Sequence, residues 1–309
     1  MPLNKVVIVE GPDGAGKTML CAELTSMSYS WHGGVKPIVE HEGPPAKGVD
    51  PFTYYTSRLL RYLHARVPRV LDRFHLGETV YGPICRGESK MGALGVRLID
   101  RLCSAYGVPI VVALPLKETC YTNWQAKAVD YVKKEEQFDR IYEAYARLKN
   151  QYVGYDYEVT ADLVDLATIL AEKRRVLPMG VTGSPSASVL LIGERPNGVF
   201  DLPFHALDNS SRYLNDALER AGLGENHIAL VNAYHDDGRA FDLVEVASAL
   251  PGLSLVVPLG NAAARAARRL TLKGLDVHPL PHPQYWKRFH AREEDAYIEM
   301  LREVKRVAF

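Results

Sequence analysis

The octapeptide GPDGAGKT at residues 11–18 constrains this chain more than any other feature, because it stands between an apolar run, KVVIVE, and a helix-forming segment, KTMLCAELTSM. In a strand, loop and helix setting, glycines at these spacings let successive backbone N–H groups wrap nucleotide phosphates at a helix N-terminus. Gly11, Pro12, Asp13, Gly14, Ala15, Gly16, Lys17 and Thr18 are therefore expected to hold ATP. Lys17 would reach the outer phosphates, and the Thr18 hydroxyl would ligate Mg²⁺. A glycine-rich turn that matched by chance would lack the flanking strand and helix. The motif implies phosphoryl transfer from ATP, of the P-loop kinase class.

The same alternation runs on. KVVIVE (5–10), PRVLDR (68–73) and VPIVVALP (108–115) have the Val, Ile and Leu content of buried parallel strands. Apolar residues recur at helical spacing over 94–106 and 135–150, and YEVT followed by ADLVDLATILAEKRR predicts a further strand and a closing helix. VLPMGVTGSPSAS (176–188) has no period and is the best linker candidate. Strand candidates then restart at SVLLIGE (188–194), HIALVNAY (227–234), LSLVVPLG (253–260) and LDVHPLPHP (275–283), with helices opening on Ser210 and Asn261 as caps. With 309 residues, two domains are the natural division. The boundary is expected near residue 180, giving domains at 1–178 and 187–309.

Charge is balanced at 37 basic and 37 acidic residues, which excludes a scaffold that coats nucleic acid by net charge while leaving a local basic groove open. Cys21, Cys85, Cys103 and Cys120 show no CxxC spacing and suit a reducing compartment. No stretch reaches the roughly 18 apolar residues of a membrane span, and no apolar leader precedes the first strand, so a soluble, cytoplasmic protein without membrane partners is expected.

In VLDRFHLGETVYG, Asp72 and Arg73 fall at the carboxyl edge of a predicted strand, where α/β proteins bind ligands. This segment resembles the DR(Y/F) motif of the thymidylate kinase family, and the resemblance covers residues 1 to about 175. It implies that Asp72 positions the acceptor or metal and that Arg73 stabilises phosphoryl charge; read on their own, the two are equally a strand-end ion pair. Asp13, Phe52, Arg58 and Tyr81 fit a kinase that holds a pyrimidine, although Phe52 and Tyr81 read equally well as core aromatics. The lid departs from the family: Lys127, Lys133 and Lys134 stand where arginines are usual, and Arg140 reads as a solvent-facing residue of its helix.

The second half resembles the uracil-DNA glycosylase superfamily in an ordered series: LLIGERPNG (190–198), LPFHALDNSSRYLNDALERAGL (202–223), HIALVNAY, VVPLGNAAARAA (256–267) and PHPQYWKR (281–288). The resemblance implies a pocket for an extruded pyrimidine, with Phe204 stacking on the base, Asn232 reading its polar edge, His282 over the deoxyribose and Glu194 at the water-activating position. Asn197 replaces a motif glycine, and this half has no cysteine for an iron–sulfur cluster. Arg265, Arg268, Arg269, Lys287 and Arg288 are candidates for a DNA backbone, the first three equally for a solvated helix face. The expected fold class is α/β in two domains: a P-loop NTPase parallel sheet with helices on both faces, then a glycosylase-like α/β/α domain.

A kinase of free thymidylate has no need of a pocket that takes a base out of DNA. The fusion therefore resembles phage 5-hydroxymethyluracil DNA kinases, which implies ATP and Mg²⁺ as cofactors and DNA carrying a modified pyrimidine as partner, in thymidine hypermodification. Three other readings stay open: a deoxynucleoside monophosphate kinase acting on free nucleotides, a DNA glycosylase with an accessory kinase domain, and a DNA-binding module.

Overall fold

The computed structural model describes residues 6–27, 35–127, 132–159, 162, 166, 177–196 and 200–309. It divides into two compact units, residues 1–99 with 106–174 and residues 100–105 with 175–309.

The first unit is built on a five-stranded parallel sheet in the order β2-β3-β1-β4-β5. Its strands are β1 (Val6–Glu10), β2 (Ile38–His41), β3 (Arg69–Asp72), β4 (Ile110–Ala113) and β5 (Val153–Tyr155). The central strands β1 and β4 are buried along their whole length, as near-continuous Val/Ile sequences require. The helices are α1 (Lys17–Met27), α2 (Pro51–His64), α3 (His75–Tyr81), α4 (Gly92–Ala105, whose last six residues group with the second unit), α5 (Lys117–Gln125) and α6 (Glu135–Lys149). Parallel register pairs Val9 with Asp72 and His41 with Asp72, so the loops after β1, β2 and β3 open at one edge of the sheet.

Two features depart from the sequence reading. β2 carries no sequence signal: it is an edge strand of four residues with two of them exposed, which leaves no buried apolar run to detect. The last strand is Val153–Tyr155, not YEVT, because Asp156 ends it: its Oδ1 accepts from Glu158 N (2.9 Å) and its carbonyl from Val159 N (3.0 Å), turning the chain. The expected closing helix at 161–175 lies almost wholly outside the described residues.

The second unit holds a sheet in the order β10-β9-β7-β8-β6. Its strands are β6 (Thr182–Gly183), β7 (Val189–Gly193), β8 (Ile228–Asn232), β9 (Leu255–Pro258) and β10 (Asp276–Val277). All pairs are parallel except β6 with β8. Helices α7 (Asn209–Ala221), α8 (Leu243–Ser248), α9 (Asn261–Thr271), α10 (Pro283–Phe289) and α11 (Glu294–Ala308) complete it. Leu214 and Leu218 of α7 and Ile298 and Leu301 of α11 share one core with Val189, Leu191 and Val257.

The segment read as a linker is not a spacer in its described part. Val181, Thr182 and Ala187 are buried, and Thr182 pairs with Leu230. A two-residue strand has no period to betray it. LDVHPLPHP yields only β10 and a bridge from Leu259 to Leu280, since Pro279 and Pro281 have no N–H to donate. The caps lie before the residues expected: Asp208 precedes α7 and Gly260 precedes α9, leaving Ser210 and Asn261 inside the first turns. Among the described residues no helix is long and apolar enough to cross a membrane.

Candidate functional site

The loop after β1 is shaped by close approach. At Gly14, where φ is 80°, a Cβ would fall 2.1 Å from the Cys120 carbonyl oxygen, so only glycine lets the loop pack this closely on α5. Trp124 packs its backbone against the same glycine and stacks its ring on Phe138, centroids 5.0 Å apart and 22° between planes. Lys17 is buried and donates from Nζ to the Pro12 carbonyl at 2.6 Å. Burial first, then the Arg73 charge, brings its pKa down to about 8. Thr18 is exposed on the first turn of α1.

Asp72 ends β3 with one oxygen held and one idle. Oδ2 accepts from His41 Nδ1 at 2.9 Å, while Oδ1 is buried and has no hydrogen-bond partner among the described residues. Arg73 takes a left-handed conformation, φ 69°, which a non-glycine residue adopts at a cost of about 1 kcal/mol or more. Its guanidinium donates to Asp13 Oδ1 and lies 5.0 Å over the Tyr81 ring, whose hydroxyl donates to Asp13 Oδ2 at 3.2 Å. Burial opposes the charge on Asp13, but Arg73 and Lys17 together outweigh it and hold the carboxyl below its usual range.

A cavity of about 230 Å³ opens beside this cluster. Pro44, Tyr55, Phe74 and Tyr81 form its apolar walls, and Arg73, Arg86, Glu42 and Glu78 supply the charged groups. Each cation is paired: Arg73 with Asp13, and Arg86 Nη2 with Glu78 Oε2 at 2.5 Å. Arg58 stands behind the wall, 3.8 Å from Glu42 Oε1, and the Tyr54 and Tyr62 hydroxyls both donate to Glu42. Phe52 lies in the core, 4% exposed, against Gly95 of α4, and does not line the cavity. Lys127, Lys133, Lys134 and Arg140 are exposed, and of the three lysines the Lys127 charge reaches Asp13 and Lys17.

Sequence reasoning missed Glu10, Glu42, Glu78 and Arg86. Glu10 Oε1 accepts from the backbone N–H of Phe74, Leu76 and Gly77, and Tyr145 donates to Oε2, which anchors the turn carrying Arg73. A buried carboxylate at the end of an apolar strand was the available signal.

In the second unit a cavity of about 270 Å³ is lined by Glu194, Phe204, His205 and His282 among others. At Gly193 a Cβ would lie 2.6 Å from Asn232 Oδ1 and 2.8 Å from the Phe204 ring, so the strand end, the amide and the aromatic meet only because the side chain is missing. Phe204 has φ 49°, and its carbonyl accepts from Ser211 Oγ and from Asn215 Nδ2 (3.2 Å). Asn232 is buried, and its Nδ2 has no hydrogen-bond partner among the described residues. The His282 ring lies 6.2 Å from that of Phe204. Its Nδ1 accepts from Gln284 N at 3.2 Å, which leaves the proton of the neutral ring on Nε2. Burial lowers the His282 pKa against the opposing pull of Glu194. His205, not singled out by the sequence, is driven by burial to about 3 and stays neutral. Asn197 lies outside the described residues. Arg265, Arg268, Arg269, Lys287 and Arg288 are all exposed.

Residues 181–305 match the family model of the Uracil DNA glycosylase superfamily. Among solved structures, a deoxyadenosine kinase from M. mycoides with bound dATP aligns at 11% identity and TM-score 0.35, over 54% of this chain and 100% of that one. A thymidylate kinase from Ehrlichia chaffeensis aligns at 16% identity and TM-score 0.36, over 55% of this chain and 99% of that one. No curated protein matches the chain.

Proposed function

We propose that the chain is an ATP-dependent kinase that phosphorylates the hydroxymethyl group of 5-hydroxymethyluracil in DNA, with the glycosylase-like unit holding the modified strand. The choice of acceptor rests on the arginines around the 230 Å³ cavity: Arg73 is committed to Asp13 and Arg86 to Glu78. Holding a nucleoside monophosphate calls for guanidinium groups open to fork onto its phosphate. A cavity whose cations are already neutralised suits an uncharged acceptor, a pyrimidine ring against Tyr55, Phe74 and Tyr81 carrying a hydroxyl.

The loop with Lys17 fits the triphosphate, and Thr18 offers Mg²⁺ the hard oxygen it takes. Mg²⁺ there would offset charge on the phosphate oxygens. In the transfer, the bond from the hydroxymethyl oxygen to the γ-phosphorus forms as the bond to the ADP oxygen breaks. The idle Asp72 Oδ1 orients the hydroxyl and accepts its proton, while His41 fixes the other oxygen. Lys17 bears the charge of the moving phosphoryl group, with Arg73 held beside it on Asp13. In the second unit, Asn232 Nδ2 is a buried donor suited to a pyrimidine carbonyl, with Phe204 as the stacking face.

The test incubates the protein with γ-labelled ATP, Mg²⁺ and one of three acceptors: hydroxymethyluracil DNA, thymine DNA or free monophosphates. Label on the base of hydroxymethyluracil DNA alone is expected. Lys17→Ala should abolish it, and Asp72→Asn should lower kcat by about 100-fold or more with ATP binding retained. Label on free monophosphates alone would make the protein a nucleotide kinase.

A further inference from the structure

The second unit has a larger depression, about 610 Å³, to which the mechanism above gives no task. It adjoins the base cavity through two residues: Tyr234 lines it, two positions beyond Asn232, and Arg195 of the base cavity holds its guanidinium 5.6 Å over the Tyr234 ring. Arg265 and Arg269 line it from α9. Four residues apart, they share one helix face, and both are exposed. Neither side chain makes an ion pair or hydrogen bond to any described residue, in contrast to the paired arginines of the first unit.

The acid lining this depression does not neutralise them. Asp242 Oδ1 accepts from Val244 N (3.0 Å) and Glu245 N (3.1 Å), so its charge is directed at the N-terminus of α8. Two half-buried rings complete the wall. Phe241 is stacked on His235 at 3.6 Å, and Tyr234 is fixed by a backbone bridge to Ala240. Cations with no protein partner next to held aromatic faces are what a nucleic-acid strand with unpaired bases requires: phosphate on guanidinium, base on ring.

We propose that this groove is a binding site for single-stranded polynucleotide, with a backbone phosphate on Arg265 and Arg269 and a neighbouring base on Tyr234. Duplex DNA is a poor occupant because its bases are stacked on each other and unavailable to Tyr234. The site requires neither ATP nor a hydroxymethyl group, so it stands whether or not the first unit acts on DNA.

The test measures binding of the full chain, without ATP, to a fluorescent oligonucleotide of about 12 nucleotides lacking any modified base. Arg265→Ala/Arg269→Ala should weaken binding at least about tenfold and flatten the dependence of log affinity on log salt by about 0.7 for each phosphate no longer neutralised. Lys273→Ala is the control, exposed two residues past the same helix but not lining the groove, and should change neither quantity. Tyr234→Leu should weaken binding with the salt slope unchanged. All four positions lie at the surface or half-buried, and equal melting temperatures will show that the variants fold. The proposal is overturned if the double variant binds like the parent, if Lys273→Ala weakens binding as much, or if a duplex of the same sequence binds as tightly. Displacement of the oligonucleotide by inorganic phosphate at equal phosphate concentration would reduce the site to a simple anion seat and overturn it as well.

Discussion

Lys17 is buried with its ammonium turned onto Pro12, and its pKa of about 8 lies below the ordinary 10.5. A nucleotide phosphate would favour the charged form, so above pH 8 binding has to take up a proton and ATP affinity should fall as pH rises. Calorimetry at pH 8.5 in two buffers of different ionisation heat should show uptake of about three-quarters of a proton. Lys17→Arg, charged at every pH used, should show none. The residues of this loop were legible because they are contiguous and each spacing has a meaning. Glu42, Glu78 and Arg86 were not, since the fold alone brings Tyr54, Tyr62 and Glu42 together and pairs Arg86 with Glu78. Phe52 and Tyr81 were equally open to two readings; the fold sends Phe52 into the core and Tyr81 to the cavity wall.

The strands that sequence resolved are those with apolar runs: β1, β4, β7, β8 and β9, buried over their whole length, and β3, buried at three of its four residues. β2 and β6 escaped because an exposed edge strand and a two-residue strand lack any period. Caps are decided by a single side chain and slip by a residue or two. Where the cap is made, it should be measurable. Asp50 Oδ2 accepts from Thr53 N at 2.8 Å and Pro51 opens α2, the helix that supplies Tyr54, Tyr55 and Tyr62. Asp50→Ala should lower stability by about 1 kcal/mol in urea unfolding. If stability is unchanged, the first turn of α2 is held by its buried face alone.

Each unit has its own hydrophobic core, and the cores share no residue. Net charge is zero, so affinity for a polyanion has to come from a local surface such as that around Arg265 and Arg269. The second core also carries an acid liability. His205 has a folded pKa of about 3 against 6.5 when exposed, so between those values the unfolded chain holds a proton that the folded unit cannot. Stability of that core should therefore fall as pH drops from 6.5 toward 3. His205→Gln should reduce the pH slope of its unfolding free energy by up to about one proton. The stacking of Trp124 on Phe138 beside Gly14 has an optical consequence. Trp286 sits on α10, four residues after His282, and donates from Nε1 to the Glu293 carbonyl. The chain has three tryptophans, and in a Trp31→Phe background Trp124 reports from beside the Gly14 loop and Trp286 from the helix that follows His282, so replacing one or the other would let the filling of either site be followed in real time without a dye.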